Sequence, residues 1–210
     1  MQKYLCCNKS MRKKVILDLC GGTGSWSRPY KEAGYDVRLI TLPEYDVLAY
    51  KPPKNIHGIL AAPPCTEFSL AKNGCKRSRD FKAGLEIVEA CLHIIWICRM
   101  QNPLKFWALE NPVGFLRQFL GKPHYTFEQW QFGGQKIKRT DVWGYFNEPA
   151  PAVKERPPGL VYISPKKRYN ARDWSKMNCP PEYAHLKLDR AALRAITSPG
   201  FARAFFRANP

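Results

Sequence analysis

Four short runs of β-forming residues, alternating with stretches of helical spacing, confine this chain to few architectures. Val15–Cys20 (VILDLC), Val37–Leu42, Ile56–Ala62 and Phe106–Leu109 are largely apolar and end at glycine, proline or polar residues. Apolar runs of this length, bounded by turn residues, read as strands buried within a sheet. A helix is expected from about Ser25 to Ala33, closed by Gly34, because glycine readily takes the left-handed backbone that ends a helix. A longer helix is expected over Lys82–Gln101, with Leu85, Val88, Leu92, Ile95 and Trp96 on its apolar face. Such alternation predicts an α/β fold: a mostly parallel sheet with helices on both faces. Past Gly133 the periodicity fades into a proline-rich stretch. Leu188–Ala195 and Phe201–Ala208 read as closing helices with Pro199-Gly200 between them.

The chain carries 34 Lys and Arg against 17 Asp and Glu, a formal charge of +17. Unpaired charges stay at the surface, where a field of this sign gathers polyanions. Nucleic acid is the expected partner. Lys72–Lys82 contributes Lys72, Lys76, Arg77 and Arg79. Lys166–Lys176 contributes Lys166, Lys167, Arg168 and Arg172, interleaved with Tyr169 and Trp174. Cations alternating with aromatics suit phosphate contact and base stacking, although a solvated loop uses the same residues. The longest apolar stretch, about Ala90–Cys98, is too short to span a membrane, and MQKYLCCNKSMRKK lacks the apolar core of a leader. A soluble cytoplasmic protein is expected. The eight cysteines show no CxxC spacing and the four histidines keep no ligand-like offset from them, so neither a metal nor a disulfide framework is expected.

Three strand ends carry residues suited to chemistry, and open parallel sheets bind ligands at such ends. DLCGGTGSW (Asp18–Trp26) runs from a strand through Gly21, Gly22 and Gly24 into a helix, so backbone can approach a ligand closely. It is neither a GxGxxG fingerprint nor a P-loop. AAPPCTEFS (Ala61–Ser69) sets Cys65 behind two rigid prolines, a place for a nucleophilic thiol or for a buried structural one. ALENPVG (Ala108–Gly114) ends an apolar strand at Glu110, whose carboxylate needs a partner, a task or a cap to fill.

Taken in order, these motifs resemble those of the cytosine-5 DNA methyltransferases, particularly small phage-like and prokaryotic members, from about Val15 to the C-terminus. DLCGGTG looks like the family's S-adenosylmethionine loop, PPC like its nucleophile motif and ENP like its ENV motif. GGQKIKRTDVWG is similar to QxRxR, with Ile137 in place of the first arginine, and ITSPGFARAFF resembles the last cofactor motif.

The resemblance implies a Rossmann-like methyltransferase fold. It implies a core over residues 1–144, a short target-recognition segment over 145–185 and closing helices over 186–210. Cys65 would add to carbon 6 of a flipped-out or single-stranded cytosine. Glu110 would hold the ring edge and Arg139 its oxygen or phosphate, with Pro64 and Asn111 completing the catalytic set. Asp18, Cys20, Gly21, Gly22, Gly24, Trp26, Asp46, Pro63, Ser198 and Gly200 would surround S-adenosylmethionine, leaving S-adenosylhomocysteine as product. Gln135 and Lys138 would join the two basic runs in holding DNA. Tyr145–Pro181 leaves few residues for reading bases, so a short or relaxed recognition sequence is expected. A monomer in a prokaryotic or phage-infected cell, serving restriction-modification or phage DNA modification, follows from the same likeness. Cytosine-5 methylation of RNA, a catalytically silent nucleic-acid-binding relative and transfer of a group other than methyl are the alternatives.

Overall fold

The computed structural model describes residues 13–73, 76–101, 104–134, 136–158, 161–162 and 179–210. The fold is α/β, built on a six-stranded sheet of order β2-β1-β3-β4-β7-β5. Its strands are β1 (Val15–Leu19), β2 (Asp36–Ile40), β3 (Ile56–Ala61), β4 (Phe106–Pro112), β5 (Tyr125–Glu128) and β7 (Arg139–Tyr145). A separate parallel pair joins β6 (Lys136–Ile137) to β8 (Val161–Tyr162). The helices are α1 (Arg28–Glu32), α2 (Phe81–Gln101), α3 (Arg117–Leu120), α4 (Arg190–Ala195) and α5 (Pro199–Ala208).

β1 to β4 pair in parallel, whereas β7 runs antiparallel to both β4 and β5. The sheet is therefore mixed, with an antiparallel third that periodicity did not reveal. β7 escaped notice because its middle buries Thr140 and Asp141 along with Val142 and Trp143. Asp141 tolerates burial because Arg117 reaches it through Nε at 2.6 Å and a terminal nitrogen at 2.5 Å, and Thr126 donates at 2.7 Å. β4 also runs farther than expected. Its pairing with β3 ends at Ala61 and Leu109, but β7 carries it on through Glu110, Asn111 and Pro112.

α1 is shorter than the segment expected from Ser25, since residues 22–27 form turns. It closes as foreseen: Gly34, at φ 87°, donates to Lys31, and Tyr35 donates to Tyr30. Pro199 and Gly200 lie inside the first turn of α5, where proline needs no amide partner.

Strand side chains alternate between two layers. One face packs Leu17, Leu19, Ile59, Ala61 and Leu109 under Val88, Cys91, Ile94, Ile95 and Cys98 of α2. The other packs Ile16, Leu60, Phe106, Ala108 and Val142 under Trp26, Tyr30, Phe201 and Phe205. Phe127 stacks on Phe201 with centroids 3.9 Å apart, and the Tyr30 hydroxyl donates to the Asn209 carbonyl at 2.8 Å. Each fully buried ring contributes about 2–3 kcal/mol.

The close seating of α5 requires Gly200. A Cβ there would stand 1.8 Å from the Phe132 carbonyl oxygen. Gly200→Ala is expected to cost at least about 2 kcal/mol, lowering the melting temperature by roughly 4–8 °C. An unchanged thermal melt would show that α5 does not bear on Phe132 through this residue.

Candidate active site

β1 is flanked by β2 on one side and β3 on the other, so the chain order reverses between β1 and β3, where such sheets open a crevice. The turns leaving β1 and β3 border it, and the end of β4 lies beside that of β3.

Beyond β1 the backbone is left-handed at Cys20 (φ 54°), Gly22 (φ 55°) and Gly24 (φ 68°). Gly22 faces open space, whereas a Cβ on Gly21 would stand 2.4 Å from the Asp18 carboxyl. Gly21 thus accommodates Asp18, and Gly22 leaves backbone bare. Asp18 is wholly buried and accepts a 2.5 Å hydrogen bond from Ser27 Oγ. Its Oδ1 has no partner among the described residues. Burial pushes this carboxyl up to about 7, against the opposing pull of the Ser27 hydroxyl and amide.

Cys20 Sγ lies 3.9 Å from Cys91 Sγ of α2. That contact draws the Cys20 thiol below its ordinary value, against burial and the charges of Asp18 and Asp46. Asp46 is exposed and caps its own turn, accepting from the Leu48 amide at 3.0 Å. Ser25 Oγ accepts from the Thr197 amide at 2.9 Å, tying the glycine turn to the segment before α5. Ser198 caps α5 by accepting from the Phe201 amide.

Two residues expected at a cofactor have other work. Trp26 is 2% exposed and packs on Phe201 and Phe205, so its ring belongs to the core. Gly200 serves the α5 contact with Phe132.

Pro63 is buried, Pro64 is exposed and Cys65 lies between the two extremes. The Cys65 carbonyl accepts from the Phe68 and Ser69 amides, which closes the turn after the thiol. Buried Asn111 donates through Nδ2 to the Pro63 carbonyl at 2.9 Å. Asn111 and Pro63 therefore position the turn, and Asn111 Oδ1 is buried with no partner among the described residues.

Glu110 neighbours that join, with Oε2 sealed from solvent and unpartnered among the described residues. Burial pushes its carboxyl above the ordinary range and Lys138 opposes the shift. Burial likewise raises the Cys65 thiol, opposed by Lys138 and Arg194, while Glu110 adds to the rise. One ammonium thus acts on both acids. Lys138 Nζ donates to the Arg194 carbonyl at 3.3 Å, which anchors it to α4.

The cation expected here was Arg139. Its side chain is 54% exposed, with Nε 3.8 Å from Glu128 Oε1. Successive side chains on extended backbone point to opposite sides, so a shift of one residue exchanges the two cations. That alternation was the available signal for Lys138; Arg194, far along the chain, gave none.

The loop before α2 is tied down by two of its expected DNA contacts. Arg79 donates to the Glu67 and Ser69 carbonyls and to Asn73 Oδ1, and lies over the Phe115 ring. Lys72 pairs with Glu67. Lys76 and Arg77 are exposed. Gln135, Lys166, Lys167, Arg168 and Arg172 lie outside the described residues. Among the described residues no group of three or more His, Cys, Asp or Glu side chains is placed to hold a metal, and no helix is long and apolar enough to cross a membrane.

Two measurements address this electrostatic arrangement. Between the ordinary aspartate value near 3.8 and about 7, the folded protein holds a proton on Asp18 that the unfolded chain has released. Asp18 therefore lowers stability as pH rises through that window, by at most on the order of 4 kcal/mol. Asp18→Asn should stabilise the protein at pH 8 by on the order of 2–4 kcal/mol, with the gain vanishing toward pH 4. A pH-independent difference in denaturant melts would refute the buried charge. Lys138→Met should slow iodoacetamide alkylation of Cys65 at pH 8 by about three- to tenfold, read peptide by peptide in a mass spectrometer. An unaltered rate would remove Lys138 from the cluster. A scan of known protein families and a search of curated proteins each returned no match to this chain.

Proposed function

We propose that the chain is an S-adenosylmethionine-dependent cytosine-5 methyltransferase of DNA, with the Rossmann-like core of that class. The observation that carries this reading is the meeting of Cys65 and Glu110, from the ends of neighbouring parallel strands, under the charge of Lys138. A thiol paired with a buried carboxyl suits addition to a pyrimidine ring edge that presents both donor and acceptor.

Burial keeps the Glu110 carboxyl protonated to higher pH, so it can donate to ring nitrogen 3 while accepting from the exocyclic amine. Cys65, once deprotonated, gives its electron pair to carbon 6, and the carbon 5–carbon 6 π pair moves into the ring. Lys138 and Arg194 favour the thiolate. Once carbon 5 carries the methyl group, its proton passes to water, the carbon 5–hydrogen pair reforms the carbon 5–carbon 6 double bond, and the carbon–sulfur pair returns to Cys65. The target base must leave its stack to meet the thiol. Arg139, exposed on β7, is suited to a flanking phosphate, as are Lys76 and Arg77.

The residues beyond β1 fit S-adenosylmethionine: bare backbone at Gly22, the exposed carboxylate of Asp46 and the nearby helix cap at Ser198. When bound, that molecule supplies an electrophilic methyl group.

Purified protein should transfer labelled methyl to cytosine in DNA and become bonded through Cys65 to a 5-fluorocytosine oligonucleotide. Cys65→Ala should abolish both, and Glu110→Gln should slow transfer by about 10²–10³-fold. Duplex DNA, single-stranded DNA and RNA assayed side by side identify the preferred substrate. Full transfer by Cys65→Ala would overturn the assignment, as would label confined to RNA for the choice of DNA.

A further inference from the structure

α2 buries one apolar face and leaves a second only partly covered, with Leu85 and Leu92 resting against the core and Trp96 exposed. Cys91, Ile94 and Cys98 enter the core. On a different side, Leu85, Glu89, Leu92, Trp96 and Arg99 follow one another at spacings of four, three, four and three. This is the stagger of a helix–helix seam, and at about 100° per residue the five lie within an arc of roughly 80°. They border an open groove of about 610 Å³ whose far wall is Phe119 and Leu120 of α3 with Trp107 of β4. Of the residues bordering it, Trp96 is 58% exposed and Phe119 45%. Large apolar side chains gathered along one groove mark a contact surface.

The charges on the seam say what lies against it. Glu89 is five residues before Ile94 and Arg99 five after; Leu92 is two before it and Trp96 two after. A two-fold axis level with Ile94 would set a second α2 antiparallel to the first. Glu89 would then face Arg99 of the second copy, and Leu92 would face Trp96, each contact made twice. Such a surface is its own complement, the requirement for an isologous interface. Neither Glu89 nor Arg99 has an ion-pair partner among the described residues. The groove would receive the Trp96 ring of the second copy, and a buried tryptophan anchors interfaces more often than most residues. We infer that the chain forms a two-fold dimer through antiparallel α2 helices, in place of the monomer expected from the sequence. This inference is independent of the proposed chemistry.

Sedimentation velocity from about 1 to 100 µM should show a concentration-dependent dimer. Trp96→Glu should weaken it at least tenfold without altering the far-ultraviolet circular dichroism. Glu89→Arg and Arg99→Glu should each weaken it by setting like charges opposite one another. The double exchange should restore it, a recovery that only a self-complementary contact produces. A wild-type monomer throughout the range overturns the inference, as does a dimer indifferent to Trp96→Glu and to the charge exchange. Monomeric protein whose Trp96 fluorescence shifts on adding duplex DNA would give this face to nucleic acid and overturn it equally.

Discussion

A single hydrogen bond at the edge of the parallel strands holds the turn that carries Cys65 against the strand that carries Glu110. Asn111 sits beyond the point where β3 has ended, and its amide donates to the Pro63 carbonyl. β4 can extend that far because β7 pairs with it on the other side, opposite Glu110, Asn111 and Pro112. Without β7 the ENP residues would have no partner strand. The antiparallel part of the sheet is thus the scaffold that holds Glu110 beside the cysteine turn. The two prolines reduce the backbone freedom that this hydrogen bond must restrain, and the Cys65 carbonyl is fixed in turn by two amides.

The electrostatics follow from that geometry. Two acids come close in a region from which water is largely excluded, so burial disfavours the charged form of each. Lys138 opposes both shifts, but its effect on each depends on the charge state of the other. A thiolate at Cys65 makes ionisation of Glu110 costlier, because like charges repel across a poorly screened gap. The state with sulfur charged and carboxyl neutral combines a nucleophile with a hydrogen-bond donor, the pairing that the proposed chemistry uses. Asp18 is a different case: its burial is offset by Ser27 without a cation in the local balance, and its charge bears on Cys20.

The parallel half of the fold was legible because its strands are nearly pure apolar runs with abrupt ends. VILDLC, the run ending before PPC and the run entering ENP each retain one residue pattern over their length. The antiparallel third was hidden by residues that break a hydrophobic pattern yet are buried. Thr140 and Asp141 look solvent-facing until Arg117 and Thr126 are seen beside them. At the site, Cys65 and Glu110 were readable from their places at strand ends. Pattern alone does not separate Lys138 from Arg139, since neighbouring cations differ only in the direction each faces, which depends on where β7 begins. Trp26 and Gly200 show a related effect. Each sits within a motif that suggests a ligand, while its contacts lie across the sheet with Phe205 or Phe132, from distant parts of the chain.

α2 connects several of these observations. Its inner face contacts the glycine turn through Cys91 and Cys20 and covers the sheet beneath the strand ends. Its first turn follows the loop that Arg79 holds against the Glu67 and Ser69 carbonyls, only a few residues beyond Cys65. Its outer seam is only partly covered: Leu85 and Leu92 rest against the core while Trp96 is exposed. Helices this long are stabilised chiefly by the face they bury, and here α2 also touches the glycine turn through Cys91 and the turn after Cys65 through Phe81 and Phe68. Anything that seats against the outer seam would therefore press on an element already fixed to the cysteine turn and to the glycine turn. A rigid helix shared in this way gives the two loops a common mechanical reference, although they leave different strands and touch different chemical groups.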